Sequence, residues 1–193
     1  ASIKLDDPGK MAGIATSCAR VEEILTNVDG YVIAANKNCP SQTVIAGASD
    51  AVERACEIFQ EQGVGVHPLP VSHAFHSQIV APAIEPLKKV LSRLGLQPPI
   101  RPITTNVTGE YYPVGPGAVP EIINMLGRQI SESVEWTKQM ERMYEDGARV
   151  FIEVGPKRAL SGFTTAIFKG RPHRALYTNH PKRGGVQSFH DCL

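Results

Sequence analysis

Apolar positions along this chain alternate between a spacing of two and a spacing near 3.6, and each change of period marks an element. Small and apolar residues over 11–16 read as a strand. A helix follows over 18–26, with Val21, Ile24 and Leu25 on one face and Thr16 or Ser17 placed to cap it. Two β-rich runs, 31–35 and 43–46, flank the polar stretch NKNCPS at 36–41 and predict a hairpin around a polar turn. Ser49 then reads as the N-cap of a helix that carries Val52, Ala55, Cys56 and Phe59, stopped by Gly63. The run 64–69 reads as a further strand. The resulting order, β-α-β-β-α-β, is that of a ferredoxin-like unit.

Beyond residue 72 the pattern changes. Over 79–94, Val80, Ile84, Leu87, Leu91 and Leu94 lie on one helical face ending at Gly95, with Pro86 inside and therefore a kink or a later start expected. A short strand is expected at 103–107, helices at 120–130 and 133–144, and a strand buried on both faces at 149–154. Gly155 and Pro156 break that strand before a helix carrying Leu160, Phe163, Ile167 and Phe168, and 175–177 offers one last strand. Strand, tight turn, helix is a parallel α/β unit, yet about three strands are few for an open sheet. The fold class expected is α/β. The expected domains are a linker at 1–9, a ferredoxin-like small subdomain at 10–72, the C-terminal part of a larger α/β subdomain at 73–178, and a polar linker at 179–193.

Composition narrows the function classes. With 42% apolar and 20% charged residues over 193 positions, the chain can bury a core and is neither disordered nor fibrous. A net charge of +1 and the absence of a nucleic-acid-binding motif argue against a nucleic-acid partner. No apolar run is long enough to span a bilayer, so no membrane association is expected. Cys18, Cys39, Cys56 and Cys192 show neither a C-x-x-C pair nor finger spacing, which suits reduced thiols and a cytoplasmic location.

Candidate chemistry concentrates at 71–77 (VSHAFHS), where His73 and His76 follow a strand and precede a helical pattern. Ligands of open α/β proteins gather beyond the carboxyl ends of strands, so either histidine is a candidate general base, although a histidine near a strand end is more often a half-buried structural residue. Ser72 and Ser77 adjoin them, but neighbours on a strand point to opposite faces. His67, His73 and His76 lack an acidic third ligand, so no metal site is expected. The chain carries no G-x-S-x-G, Walker loop, H-E-x-x-H or dinucleotide fingerprint. Trp136, with Met140 and Met143 on its helix face, reads as core.

Six segments stand in an order that resembles a known family: 9–15, 35–47 (ANKNCPSQTVIAG), 71–77 (VSHAFHS), 103–109 (ITTNVTG), 133–136 (SVEW) and 153–157 (EVGPK). The chain is similar to malonyl-CoA:acyl-carrier-protein transacylases, and more closely to acyltransferase domains of type I polyketide and polyunsaturated-fatty-acid synthases. That resemblance implies a hydrolase-like α/β large subdomain with a ferredoxin-like small subdomain inserted in it. It implies that His76 is the general base, that a backbone carbonyl of Gln129 orients its imidazole, and that Phe75 selects malonyl over methylmalonyl units. Asn36, Asn38, Gln42 and Asn106 become candidates for lining the cleft; a turn whose amides bond their own backbone is the alternative for the first three.

The same resemblance implies malonyl-CoA and a phosphopantetheinylated acyl carrier protein as substrates, neighbouring synthase domains as partners, and no bound cofactor. The family's nucleophilic serine, oxyanion-hole amides and carboxylate-binding arginine belong upstream of the segment at 9–11. The chain is thus expected to correspond to the C-terminal two-thirds of the domain and to be inactive alone. The alternatives are a non-catalytic module that binds carrier protein or holds a synthase together, and a ferredoxin-like binding module with an α/β tail.

Overall fold

The structure, a computed structural model, describes residues 6–192. By its contacts the chain groups into two units, one running through Gln139 and one from Met140.

The first unit is built on four strands, β1 (Lys10–Ile14), β2 (Val32–Cys39), β3 (Gln42–Gly47) and β4 (Val66–Pro68). They form one antiparallel sheet in the order β2-β3-β1-β4. Helix α1 (Cys18–Leu25) lies between β1 and β2, and α2 (Ser49–Glu61) between β3 and β4. Alternation along the strands divides the apolar side chains between two faces. Ala12, Ile14, Ala34 and Ile45 pack with Val21 and Ile24 of α1 and with Val52, Ala55 and Phe59 of α2. Met11, Ala35, Val44 and Ala46 point the other way, onto Ala74, with Ile79 beside them. The second face of the sheet is therefore the seat of the histidine-bearing segment.

Several expected elements differ in detail. The stretch 36–41 is not a polar turn: β2 continues to Cys39, and the hairpin closes over Pro40 and Ser41. The extension is held by a segment far away in sequence, since Val134 N–H donates to Ala35 O and Lys37 N–H to Val134 O. Residues 133–135 are used in that pairing, so the helix expected at 133–144 begins later, as α5 (Trp136–Glu145). Ser49 is the first residue of α2 rather than its cap. Its N–H and hydroxyl both donate to the Asp7 carboxylate, which also accepts from Gly9 N–H and is held below its usual pKa chiefly by the Ser49 hydroxyl. Asp7 thus anchors part of what reads as linker at 1–9; residues 1–5 lie outside the described residues.

The helix expected at 79–94 is split into a 3-10 turn, Gln78–Ala83, which holds Pro82, and α3 (Ile84–Leu91), which starts late enough to carry Pro86 in its first turn. The strand expected at 103–107 is one isolated bridge, Thr104 to Tyr111, around a turn in which Thr105 and Thr108 bond each other. Helix α4 (Val119–Arg128) carries Pro120 in its first turn, where a missing N–H costs no helical bond.

The second unit pairs β5 (Val150–Pro156) with β6 (Arg174–Asn179) in parallel, joined by α6 (Ala159–Ile167). Phe168 is its fully buried centre, stacked on Phe151 and flanked by Tyr144 and His173. The Glu153 carboxylate accepts from the Ser161 N–H and hydroxyl, tying the first turn of α6 to β5. The expectation that 149–154 is buried on both faces fails, because Val150, Ile152 and Val154 are exposed. Among the described residues β5 pairs with β6 alone, and burial alternates along it, with Val150, Ile152 and Val154 on the exposed face. The linker expected at 179–193 contains α7 (Gly185–Cys192), with Ser188 buried.

Candidate active site

The segment 73–77 leaves β4 and folds back over the sheet, where small residues allow a close approach. Ala74 is buried, its N–H donates to Pro8 O, and the buried Ser77 hydroxyl donates to Ala74 O. Ser77 therefore serves the loop and is not a nucleophile. Ser72 Oγ lies 2.9 Å from His73 Nδ1, and the His73 ring meets Phe75 edge-on at 6.1 Å between centroids. Downstream, Gln78 N–H donates to the Tyr31 hydroxyl and ties the loop to the start of β2.

Within this bend His76 adopts φ +60°, the left-handed region that costs a non-glycine residue about 1–2 kcal/mol. Such strain persists where surrounding bonds over-determine it, and it gathers at functional positions. Here two bonds do so. His76 N–H donates to Ile130 O at 2.8 Å, and His76 Nδ1 lies 2.7 Å from Gln129 O. A carbonyl can only accept, so Nδ1 carries a proton, and in the neutral imidazole the lone pair is then on Nε2. Nε2 has no hydrogen-bond partner among the described residues. The two histidines are thereby distinguished: His76 is oriented with an open nitrogen, and His73 is bonded to its own neighbour.

The carbonyls facing His76 come from the end of α4, where the last C=O groups have no partner within the helix. Gln129 occupies the C-cap. Arg128 O takes the Ser131 and Glu132 N–H groups, leaving the next two carbonyls for the histidine. The bond between His76 and Gln129 was legible only through the family resemblance, because 53 residues separate them.

The other site candidates lie elsewhere in the same unit. Asn38 donates to Gln42 across the hairpin at 3.0 Å, and Asn36 bridges to Val134 beside the β2 bulge. Asn106 accepts from Glu135 N–H through its backbone and from Gln139 through its side chain, which makes it a brace for the start of α5. An ionic network that the sequence did not signal supports the same junction. Glu135, largely buried, pairs with Lys37 at 3.0 Å and Lys138 at 3.2 Å. Burial pulls the Lys37 ammonium down, but Glu135, joined by Cys18 and Glu22, offsets this and leaves it raised. Among the described residues no group of three His, Cys, Asp or Glu side chains could hold a metal ion, and no helix is long and apolar enough to cross a membrane.

A histidine with a fixed Nδ1–H and an open Nε2 has the geometry that the base of a nucleophile–histidine pair requires in acyl-transfer enzymes. The acyl transferase domain family model matches residues 2–170, and the chain belongs to that family. It is 37% identical over 156 residues to a malonyl CoA-acyl carrier protein transacylase of Haemophilus influenzae, covering 80% of this chain and 47% of the relative. It is 33% identical over 151 residues to one of the polyunsaturated fatty acid synthase subunits of Thraustochytrium, covering 77% of this chain and 5% of that protein. Among solved structures, the malonyl CoA-acyl carrier protein transacylase of Clostridium perfringens superposes with a TM-score of 0.83 at 32% identity, over 98% of this chain and 57% of that one. The chain spans about half the length of the transacylases it matches.

Proposed function

We propose that this chain supplies the general-base part of a malonyl-transfer site. The family's nucleophilic serine would attack the thioester of malonyl-CoA while His76 Nε2 takes its proton; the C–S bond breaks and CoA leaves as the thiol with that proton returned from His76. The phosphopantetheine thiol of an acyl carrier protein would then attack the acyl-serine, giving its proton to His76, which returns it to the departing serine oxygen and so restores the free hydroxyl. Gln129 acts through its backbone carbonyl, which fixes the tautomer without adding a formal negative charge beside an anionic malonyl group. The single observation that carries this reading is His76, strained to φ +60°, bonded by Nδ1 to Gln129 O, with Nε2 open.

The β-α-β-β-α-β order and the strand sequence β2-β3-β1-β4 support a ferredoxin-like small subdomain over 10–72, with 73–178 belonging to a larger subdomain. On this reading the carrier protein and neighbouring synthase domains are the partners, no cofactor is bound, and the chain alone is expected not to turn over, because among the described residues no hydroxyl is bonded to His76 Nε2 for the base to activate.

The test is loading of labelled malonyl-CoA by a domain in which this chain is joined to a serine-bearing segment. His76→Ala should lower acyl loading by about two to four orders of magnitude. Near-normal loading by that variant would sink the assignment.

A further inference from the structure

We infer that the Arg128–Glu132 ion pair is a positioning device for His76, acting through the backbone between them. This rests on the reading of His76 as base for its functional meaning, but its geometry stands apart from that reading. Three successive carbonyls leave the end of α4. Arg128 O accepts from Ser131 N–H and Glu132 N–H, both at 3.0 Å, and from the Ser131 hydroxyl at 3.3 Å. Gln129 O and Ile130 O go to the imidazole and to the backbone N–H of the same histidine. The direction in which those two carbonyls point is therefore set by the shape of the turn 128–132.

The Arg128 guanidinium spans that turn. Its Nε donates to Glu132 Oε1 at 2.6 Å and its Nη2 to Oε2 at 2.9 Å, a two-point contact that fixes a plane as well as a distance. Past the turn the chain is anchored independently, since Ser133 Oγ donates to Ala34 O and Val134 N–H to Ala35 O, both at 2.8 Å. With α4 at one end and β2 at the other, the ion pair spans the residues in between with a two-point contact, beside the longer bond from the Ser131 hydroxyl to Arg128 O. The side chains are 41% and 32% exposed, so the pair adds little to global stability. Its removal should loosen the carbonyls far more than the fold.

The experiment follows the His76 ring by nitrogen-15 NMR in the chain itself, labelled at histidine. The intact chain should show His76 locked as the Nδ1–H tautomer with a slowly exchanging ring proton. Arg128→Met and Glu132→Gln should each give averaging between tautomers and exchange faster by about tenfold, since exchange requires the bond to open. The backbone amide spectrum of β1 to β4 should stay unchanged. Arg128→Lys, which keeps the charge but loses the planar fork, should fall between, and the exchanged pair Arg128→Glu with Glu132→Arg should restore slow exchange. Unaltered tautomer and exchange in both single variants would overturn the inference, and so would loss of the sheet spectrum in both, which would make the pair a folding element. In the joined domain the same variants should lower kcat about three- to tenfold with KM unchanged, as expected when only the orientation of a base is lost. Normal loading by His76→Ala would end the functional reading and leave the tautomer result standing, so the two failures are distinct.

Discussion

Phe75 keeps 43% of its surface exposed, although an aromatic ring of that size is ordinarily buried. It stands one residue before the oriented histidine, and its contact with His73 is edge-on rather than enclosing. On the proposed reading, an exposed ring beside the base can act on a substrate by occupying space. Discrimination of one methyl is worth about 1–3 kcal/mol, or roughly 10- to 200-fold. Phe75→Ser in the joined domain is therefore expected to raise the use of methylmalonyl-CoA relative to malonyl-CoA, measured as the ratio of acyl-enzymes formed from an equimolar mixture. An unchanged ratio would remove Phe75 from substrate selection. At this scale the sequence presented His73 and His76 as equals, and the difference between them is a 2.7 Å contact with a carbonyl 53 residues away.

Elements in this chain are secured where backbone approaches backbone. Gly9, at φ +71°, leads into β1, and a Cβ there would stand 2.4 Å from Gly47 O and 2.6 Å from Ala74 Cβ. Gly63, at φ +72° after α2, has nothing within 4 Å of the same point. The two glycines share a conformation and differ in surroundings. Gly63→Ala should cost about 1 kcal/mol from backbone strain alone, whereas Gly9→Ala adds a clash and should cost about 2–4 kcal/mol. Urea denaturation of the two variants compares them, and equal losses would mean that the Gly9 contact relaxes freely. Because the Gly9 clash falls on Ala74, the shift should reach the His76 loop, whereas Gly63→Ala should leave it in place. Most elements were legible because local periodicity reports which residues share a face. The length of β2 and the late start of α5 were not, since each depends on Val134 pairing with Ala35 and Lys37 across about 100 residues.

For the whole molecule, the uncovered strand in the second unit has the largest consequence. Val150, Ile152 and Val154 lie 57%, 52% and 84% exposed along one face of β5. Two-stranded parallel sheets are rarely stable with a bare apolar face, and such faces drive association. The chain alone is thus expected to bind a hydrophobic dye and to associate with rising concentration, and Ile152→Lys should reduce both. Sedimentation showing a monomer at all concentrations, with no dye bound, would mean that the stripe is covered in solution.

The alternation of apolar residues determined the β-α-β-β-α-β order, and the residue types at 71–77 marked where chemistry could lie, because both are local properties of a pleated strand or a helix face. Whether a strand has one covered face or two is not local. The run at 149–154 reads as doubly buried, and the structure leaves one side open, because cover comes from other elements and not from the strand itself. The decisive feature of the site was likewise left to the tertiary structure. The strained φ of His76, the two carbonyls at the end of α4 and the ion pair that spans their turn come together only once the chain has folded. A hydrogen bond depends on distance in space, which sequence spacing does not encode.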